Sequence, residues 1–287
     1  MIKKCYKIVN LIFDRSEEFW ESNFFRKIIS IFLFITFGTL SILTQMKISG
    51  LLTNPLFEII PNSHFYAIRF AFTLLLGYEV LSMVFSLRYS VSNAIGKQIE
   101  ILSLVILRDG FKDLVYFQEP LSMISNLHPM TILLSDMFGA LAILVILGFF
   151  YKIQSHIPLT QNEEDQISFI SVKKCLALFI LLFVVVNFML NIFGFYKVSG
   201  YYSFFDSLFT FLIFTDILLV FLALRYSSNY YVIFRNSGFA LTTVLIRIAI
   251  TAPEYYRAIL GIIAVSFALF LSWGYNKFRV NLKHWGN

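Results

Sequence analysis

The sequence predicts an all-α fold: a polytopic membrane helical bundle of about eight transmembrane helices, arranged as two parallel four-helix repeats, with the N- and C-termini cytoplasmic. Three observations lead there. The 287 residues are 58% hydrophobic and only 14% charged, with a mean hydropathy of +0.76, against about 45–50% and about 25% in soluble proteins. Lipid must therefore cover much of the apolar surface. Long apolar runs recur along the chain, and short strings recur in the same order in its two halves.

Residues 6–27 interleave apolar side chains with acids and bases and carry Trp20 beside the first long apolar run. This is the pattern of an amphipathic helix lying on the cytoplasmic face of a bilayer, with a solvated partner-binding helix as the alternative. No small-residue cleavage site follows the run that begins near residue 28, so a cleaved signal is not expected.

Crossing hydrocarbon takes about 20 apolar residues. Clear spans are predicted near 28–47, 67–87, 131–151, 175–196, 205–224 and 258–275. Two further segments, 98–116 and 237–252, are apolar for much of their length but carry Arg108 and Arg247, and the first adds Asp109, Lys112 and Asp113. Cytoplasmic loops retain lysine and arginine. Counting both doubtful segments as spans puts Arg26, Lys27, Arg88, Lys97, Lys152, Lys173, Lys174, Arg225, Arg235, Lys277 and Arg279 on the inner side, with the basic N-terminus. Lys47, Arg69, Lys112, Lys197 and Arg257 fall outside. Omitting both segments leaves the central loop positive on the wrong face, so eight spans fit better.

The duplication rests on ordered markers. Lys47-Ile-Ser-Gly50 and Lys197-Val-Ser-Gly200 follow the first and fifth spans; Leu87-Arg88-Tyr89-Ser90 and Leu224-Arg225-Tyr226-Ser227 end the second and sixth. Nine residues before those arginines stand Glu79 and Asp216, and later come Arg108 and Arg247 in matching apolar contexts. An even number of helices per unit gives the two units the same orientation, related by an axis along the membrane normal. The domain organisation is thus an interfacial helix at 1–27, a first repeat at 28–152, a cytoplasmic linker at 153–174, a second repeat at 175–277 and a basic tail at 278–287.

Depth arithmetic selects the candidate residues. At 1.5 Å per residue, Glu79 lies about 14 Å from Arg88, and Arg108 about 16 Å from Lys97; Asp216 and Arg247 lie about 14 Å and 18 Å from Arg225 and Arg235. All four fall near the middle of a core about 30 Å thick. A charge there costs about 2.5–3.5 kcal/mol on insertion scales. Pairing lowers that cost, so ion pairs Glu79–Arg108 and Asp216–Arg247 are expected, serving either as static ties between helices or as working parts of an ion path. Glu100, Asp109, Lys112, Asp113 and Asp136 form a second, weaker set of candidates for a polar path. Asp109 and Asp113 share a helix face, Lys112 stands four residues from Arg108, and Gly110 offers a breaking point in that helix.

In outline each repeat resembles the voltage-sensor fold: four helices with an inner N-terminus, and an acid on helix two. The fourth helices, 131–151 and 258–275, lack the every-third-residue arginines of that fold, so the resemblance implies no gating role.

Other chemistry finds no motif. GxGxxG, Walker A, GxSxG and HExxH signatures are absent, so no enzyme is expected. Cys5 and Cys175 stand alone, and His64, His128, His156 and His284 lie near span ends, giving no metal or cofactor site. The net charge of +6 is accounted for by membrane orientation rather than nucleic acid. The expected partners are the lipid bilayer, a small ion, and a second copy or a larger membrane complex. Two functions compete in the plasma (inner) membrane: ion- or proton-coupled transport, channel-like units included, and a non-catalytic assembly subunit. A lipid-substrate enzyme, drawing on Arg88, Tyr89, Asn93, Lys97 and Glu100 at headgroup level, ranks third.

Overall fold

The computed structural model describes residues 2–50, 63–89, 91–117, 126–154, 163–192, 204–226 and 230–282. Those residues are all-helical: α1 (Ile2–Glu21), α2 (Asn23–Ile48), α3 (Phe65–Ser86), α4 (Val91–Lys112), α5 (Leu127–Ile153), α6 (Glu163–Ile192), α7 (Phe204–Tyr226), α8 (Tyr230–Thr251) and α9 (Tyr256–Leu282), with a 3-10 turn at Asp113–Tyr116. Six helices are long and apolar enough to cross a membrane: α2, α3, α5, α6 over Ile167–Leu190, α8, and α9 over Tyr256–Phe278. The protein is membrane-embedded on that ground.

Local chemistry sets several boundaries. Ser22 separates α1 from α2, its Oγ accepting a hydrogen bond from Phe25 N at 3.1 Å as an N-cap. The amphipathic segment 6–27 therefore takes in α1 from residue 6 and the opening turn of α2. Pro253 cannot continue a helix and disfavours helical backbone at Ala252, so α8 stops at Thr251 and α9 starts anew after Tyr255, whose φ is 64°. This turn places Arg257 at the head of α9.

Some sequence expectations change. The segment 237–252 is part of a helix starting at Tyr230 that is apolar enough to span, whereas the apolar stretch of α7 among the described residues is the shorter Ser207–Leu222. Residues 163–174, expected as loop, are the opening turns of α6. Gly110 breaks nothing: α4 runs through it to Lys112, and a Cβ at Gly110 would stand 2.9 Å from Leu133 Cδ1. Its missing side chain instead lets α4 and α5 approach closely. The marker at 197–200, Tyr201, Tyr202, residues 155–162 and the tail beyond Leu282 lie outside the described residues.

The helices run alternately up and down. At one end, Lys173 Nζ donates to Tyr89 O at 2.8 Å, Gln154 Nε2 to Asn93 Oδ1 at 2.9 Å and Asn276 Nδ2 to Ile153 O at 2.5 Å, while Arg235 lies over the Tyr275 ring. These contacts gather the C-terminal ends of α3, α5 and α9 with the N-terminal ends of α4, α6 and α8. At the other end, Gln45 meets His64 and Thr131 meets Tyr255.

Helix α4 sits centrally, packed on α3, α5, α8 and part of α9, with Ile95, Ile99, Leu102, Val105 and Ile106 buried. That position explains how a helix with so many charges survives in an apolar bundle: neighbouring helices, not lipid, surround most of it.

The α5–α9 contact depends on small residues. A Cβ at Gly139 would fall 2.5 Å from Ala258 Cβ and 3.3 Å from its Cα, backbone that has no room to yield. Gly139→Val is expected to lower stability in detergent by about 1–3 kcal/mol through overpacking. Gly148→Val on the same helix, where nothing lies within 4 Å, should leave the unfolding midpoint unchanged within error.

Candidate functional site

The four mid-depth charges meet in two pairs. Arg108 of α4 reaches Glu79 of α3 through its guanidinium NH1 and the carboxylate Oε1. Arg247 of α8 reaches Asp216 Oδ2 of α7 in the same way. Both pairings follow from antiparallel neighbours: an acid nine residues before Arg88 or Arg225, at the close of one helix, faces a base well inside the next. The surroundings differ. Arg247 is 1% exposed and Thr243 Oγ1 adds a second hydrogen bond to Asp216 Oδ2 at 2.7 Å, so this pair is sealed. The Arg108 side chain is 28% exposed, beside Leu104, Leu107 and Phe111 on the open side of α4.

One turn beyond Arg108, the chain builds a denser constellation. Asp109 and Asp113, on one face of α4 and its 3-10 extension, and Asp136 of α5 converge on Arg257. Asp113 Oδ2 contacts the guanidinium NH2, Asp136 Oδ2 lies 2.5 Å from the same nitrogen, and Asp109 Oδ2 lies 3.8 Å from NH1. Lys112 Nζ turns back to Asp109 Oδ1 at 2.5 Å, so it partners Asp109 rather than extending the row from Arg108. Asp109, Asp113, Asp136 and Arg257 are all buried, Asp136 completely.

Three carboxylates against Arg257 and Lys112 leave an excess of acid. The group borders a cleft of about 560 Å³ whose walls include Arg69, Tyr116, Pro253, Glu254 and Tyr255. Among the described residues no set of three or more His, Cys, Asp or Glu side chains is arranged to hold a metal ion; among these carboxylates the central place is taken by a guanidinium.

Glu100 stands apart from this group, two turns toward the other end of α4. It accepts from Tyr151 OH at 2.6 Å and pairs with Lys97 at 2.7 Å, tying α4 to α5 near the basic end. The five candidates for a polar path thus divide into Asp109, Lys112 and Asp113 on the cleft wall, Asp136 buried behind them against Arg257, and Glu100 elsewhere.

Sequence reasoning missed Arg257, placing it in an outer loop. The available signal was its level: a base just after a helix-stopping proline lies at the same end as Asp113 and Asp136, where unpaired carboxylates need compensation. It also missed how α1 is held. Glu17 Oε2 lies 2.6 Å from Arg88 NH1, Asp14 Oδ1 accepts from Lys174 at 2.7 Å, and Trp20 Nε1 donates to Ser82 Oγ at 2.9 Å. The helix therefore docks on α3 and α6 through buried Phe13 and Glu17, while Ile8, Leu11, Ile12 and Phe19 stay exposed as an apolar face. Burial raises the Glu17 carboxyl above its ordinary range against the opposing pull of Arg88.

No family model matches the chain, and no curated protein or solved structure matches it.

Proposed function

We propose that this chain is a multi-pass membrane protein of ion- or proton-coupled transport, channel-like in its path, and not an enzyme. The observation that carries the reading is the charged cluster at the cleft: Asp109, Asp113 and Asp136 outnumber Arg257 and Lys112, the bases that hold them, and Asp109 and Asp113 line a cavity of about 560 Å³ near the Glu79–Arg108 pair, with Asp136 buried behind them. Ionisable groups inside membrane segments are rare, face the bundle interior or a wet cavity, and are the groups from which ion and proton routes are built. In this reading a cation or proton enters at the cleft, competes with Arg257 for the aspartates, and passes toward Glu79 as Arg108 shifts.

The architecture proposed around it has eight spans in two parallel repeats, α2–α5 and α6–α9. The packing supports this. In each half the contact grows from the first helix pair to the third, and the halves meet mainly through equivalent helices, α5 on α9 and α4 on α8. Such like-on-like contacts are what a twofold axis along the membrane normal produces. The boundaries of the interfacial helix, linker and tail are part of the same proposal. Arg88, Lys97, Lys152, Lys173, Lys174, Arg235 and Lys277 all belong to one end of the bundle. By the positive-inside rule that end is cytoplasmic, with both termini there and the cleft opening outward, in a plasma (inner) membrane.

The test is cation and proton uptake by vesicles reconstituted with purified protein. Asp113→Asn and Asp136→Asn are each expected to cut flux on the order of tenfold, the equivalent of about 1.4 kcal/mol at the site. Glu79→Gln and Arg108→Gln should each lower folded yield, while the double variant regains yield without regaining flux. If wild-type vesicles leak no faster than protein-free ones, transport fails as a reading. Equal damage from all three Glu79 and Arg108 variants would remove the pair from the path.

The second reading, a non-catalytic assembly subunit, is favoured by α2. Only 6% of its most apolar window is buried, and Phe24, Ile31, Phe34, Ile35 and Ile42 stand exposed along it. A partner recovered from native membranes through α2, with silent vesicles, would establish that reading instead.

A further inference from the structure

A second cavity, of about 50 Å³, lies inside the bundle toward the basic end, where the C-terminal end of α3 meets α4, α6, α7 and α8. Its walls are apolar except for Gln98, Lys173, Asp216, Asn236 and Thr243. All five polar side chains are more than nine-tenths buried.

Their hydrogen bonds do not close. Among the described residues neither amide atom of Asn236 has a partner, and Gln98 Oε1 has none. Lys173, 4% exposed, gives one N–H to Tyr89 O at 2.8 Å and lies over the Phe169 ring. No carboxylate of the described residues comes within ion-pair distance of it. Asp216 borders the cavity but is already taken by Arg247 and Thr243. Leaving buried polar groups unpartnered costs about 1–3 kcal/mol each, and a buried cation without a counter-charge costs more.

We propose that this cavity binds a small monovalent inorganic anion of chloride size. Lys173 and Asp216 in the wall, with Arg247 behind Asp216, together leave one positive charge, which a cation would worsen and water would leave uncompensated. An anion balances it. The ammonium of Lys173 retains two N–H donors, and the amide of Asn236 supplies two more. A half-turn of the Gln98 amide exchanges its unpartnered oxygen for its nitrogen and adds another donor. One water needs about 10–15 Å³ of such space, so about 50 Å³ admits one such ion with a few waters beside it. Donors on α4, α6 and α8 would then be tied together by the ion, and the site would stabilise the fold whatever else the protein does.

The experiment is thermal unfolding of the purified full chain in detergent, with sodium chloride or sodium bromide replacing sodium gluconate at constant ionic strength. Chloride and bromide are expected to raise the melting temperature by roughly 5 °C and to saturate, as binding to the native state requires. Asn236→Leu, which leaves the charge in place, should move the half-saturating chloride concentration up by about tenfold through loss of a charge-assisted hydrogen bond. Lys173→Gln should abolish the dependence. If that variant does not fold, the position of bromide in crystals of the wild type decides: an anomalous peak between Lys173 and Asn236 supports the site, and an empty or water-filled cavity overturns it. Identical melting in gluconate, chloride and bromide overturns it as well. So does a halide effect of undiminished size and concentration dependence in Asn236→Leu.

Discussion

Arg257→Gln is expected to destabilise the folded protein by about 3–5 kcal/mol, the cost of removing one partner from a buried ionic group. The argument rests on what the substitution leaves behind. Asp109, Asp113 and Asp136 are buried and come from two neighbouring elements, and Arg257 is the base that touches all three. Lys112 compensates Asp109 alone. Without the guanidinium, Asp113 and Asp136 face each other across the space it filled, at an effective dielectric far below that of water. Glutamine keeps the stem and some hydrogen bonding, so the loss reads out charge rather than volume. Asp113→Asn in the Arg257→Gln background removes one of the facing charges and should recover at least half of the lost stability. The measurement is the unfolding midpoint of the purified protein in detergent for the single, double and parent chains. An Arg257→Gln protein as stable as its parent would mean that the carboxylates are held neutral or neutralised from elsewhere, and Arg257 would lose its central place.

How much of this was legible beforehand differs between the pairs and the cleft. Helical periodicity and span length gave the helices, because a chain in lipid must satisfy its backbone within each segment. Glu79 with Arg108 and Asp216 with Arg247 were readable because adjacent antiparallel helices turn distance from a shared end into common depth. The cleft was not. It joins the end of α4, the start of α5 and the start of α9, and nothing in the sequence states which non-adjacent helices are neighbours. Asp136 looked secondary because it has no counterpart in the second half, and Arg257 looked like an ordinary outer-loop base. The docking of α1 was hidden for a related reason. An amphipathic pattern specifies that one face is apolar, not whether lipid or protein covers it, and here Phe13 is covered by protein while Leu11 and Phe19 remain exposed. The central place of α4 in the bundle was obscured by Glu100, Asp109 and Lys112, whose partners lie on α4 itself or on the helices packed around it.

The sealed pair should respond differently from every other charge in the bundle. Arg247→Leu alone is expected to cost about 3–5 kcal/mol, since Asp216 would stay in the interior with only Thr243 Oγ1 left from its present partners. Asp216→Leu alone should cost as much or more, because Arg247 is 1% exposed and its guanidinium has no route to water. The double variant Asp216→Leu/Arg247→Leu removes both charges and both desolvation costs, and apolar replacements of similar volume are often neutral or stabilising. It should return to within about 1 kcal/mol of the parent, giving a coupling energy close to the whole single-variant loss. The same cycle on Glu79 and Arg108 should give a smaller coupling, because the 28% exposure of Arg108 lets it find other partners when Glu79 is removed. That contrast separates a structural tie in the second half from a responsive pair in the first. Flux measured on the Asp216→Leu/Arg247→Leu protein should be retained if the path runs through the first half alone. If flux vanishes while stability is restored, the second pair is a working part of the path, and the two halves act together.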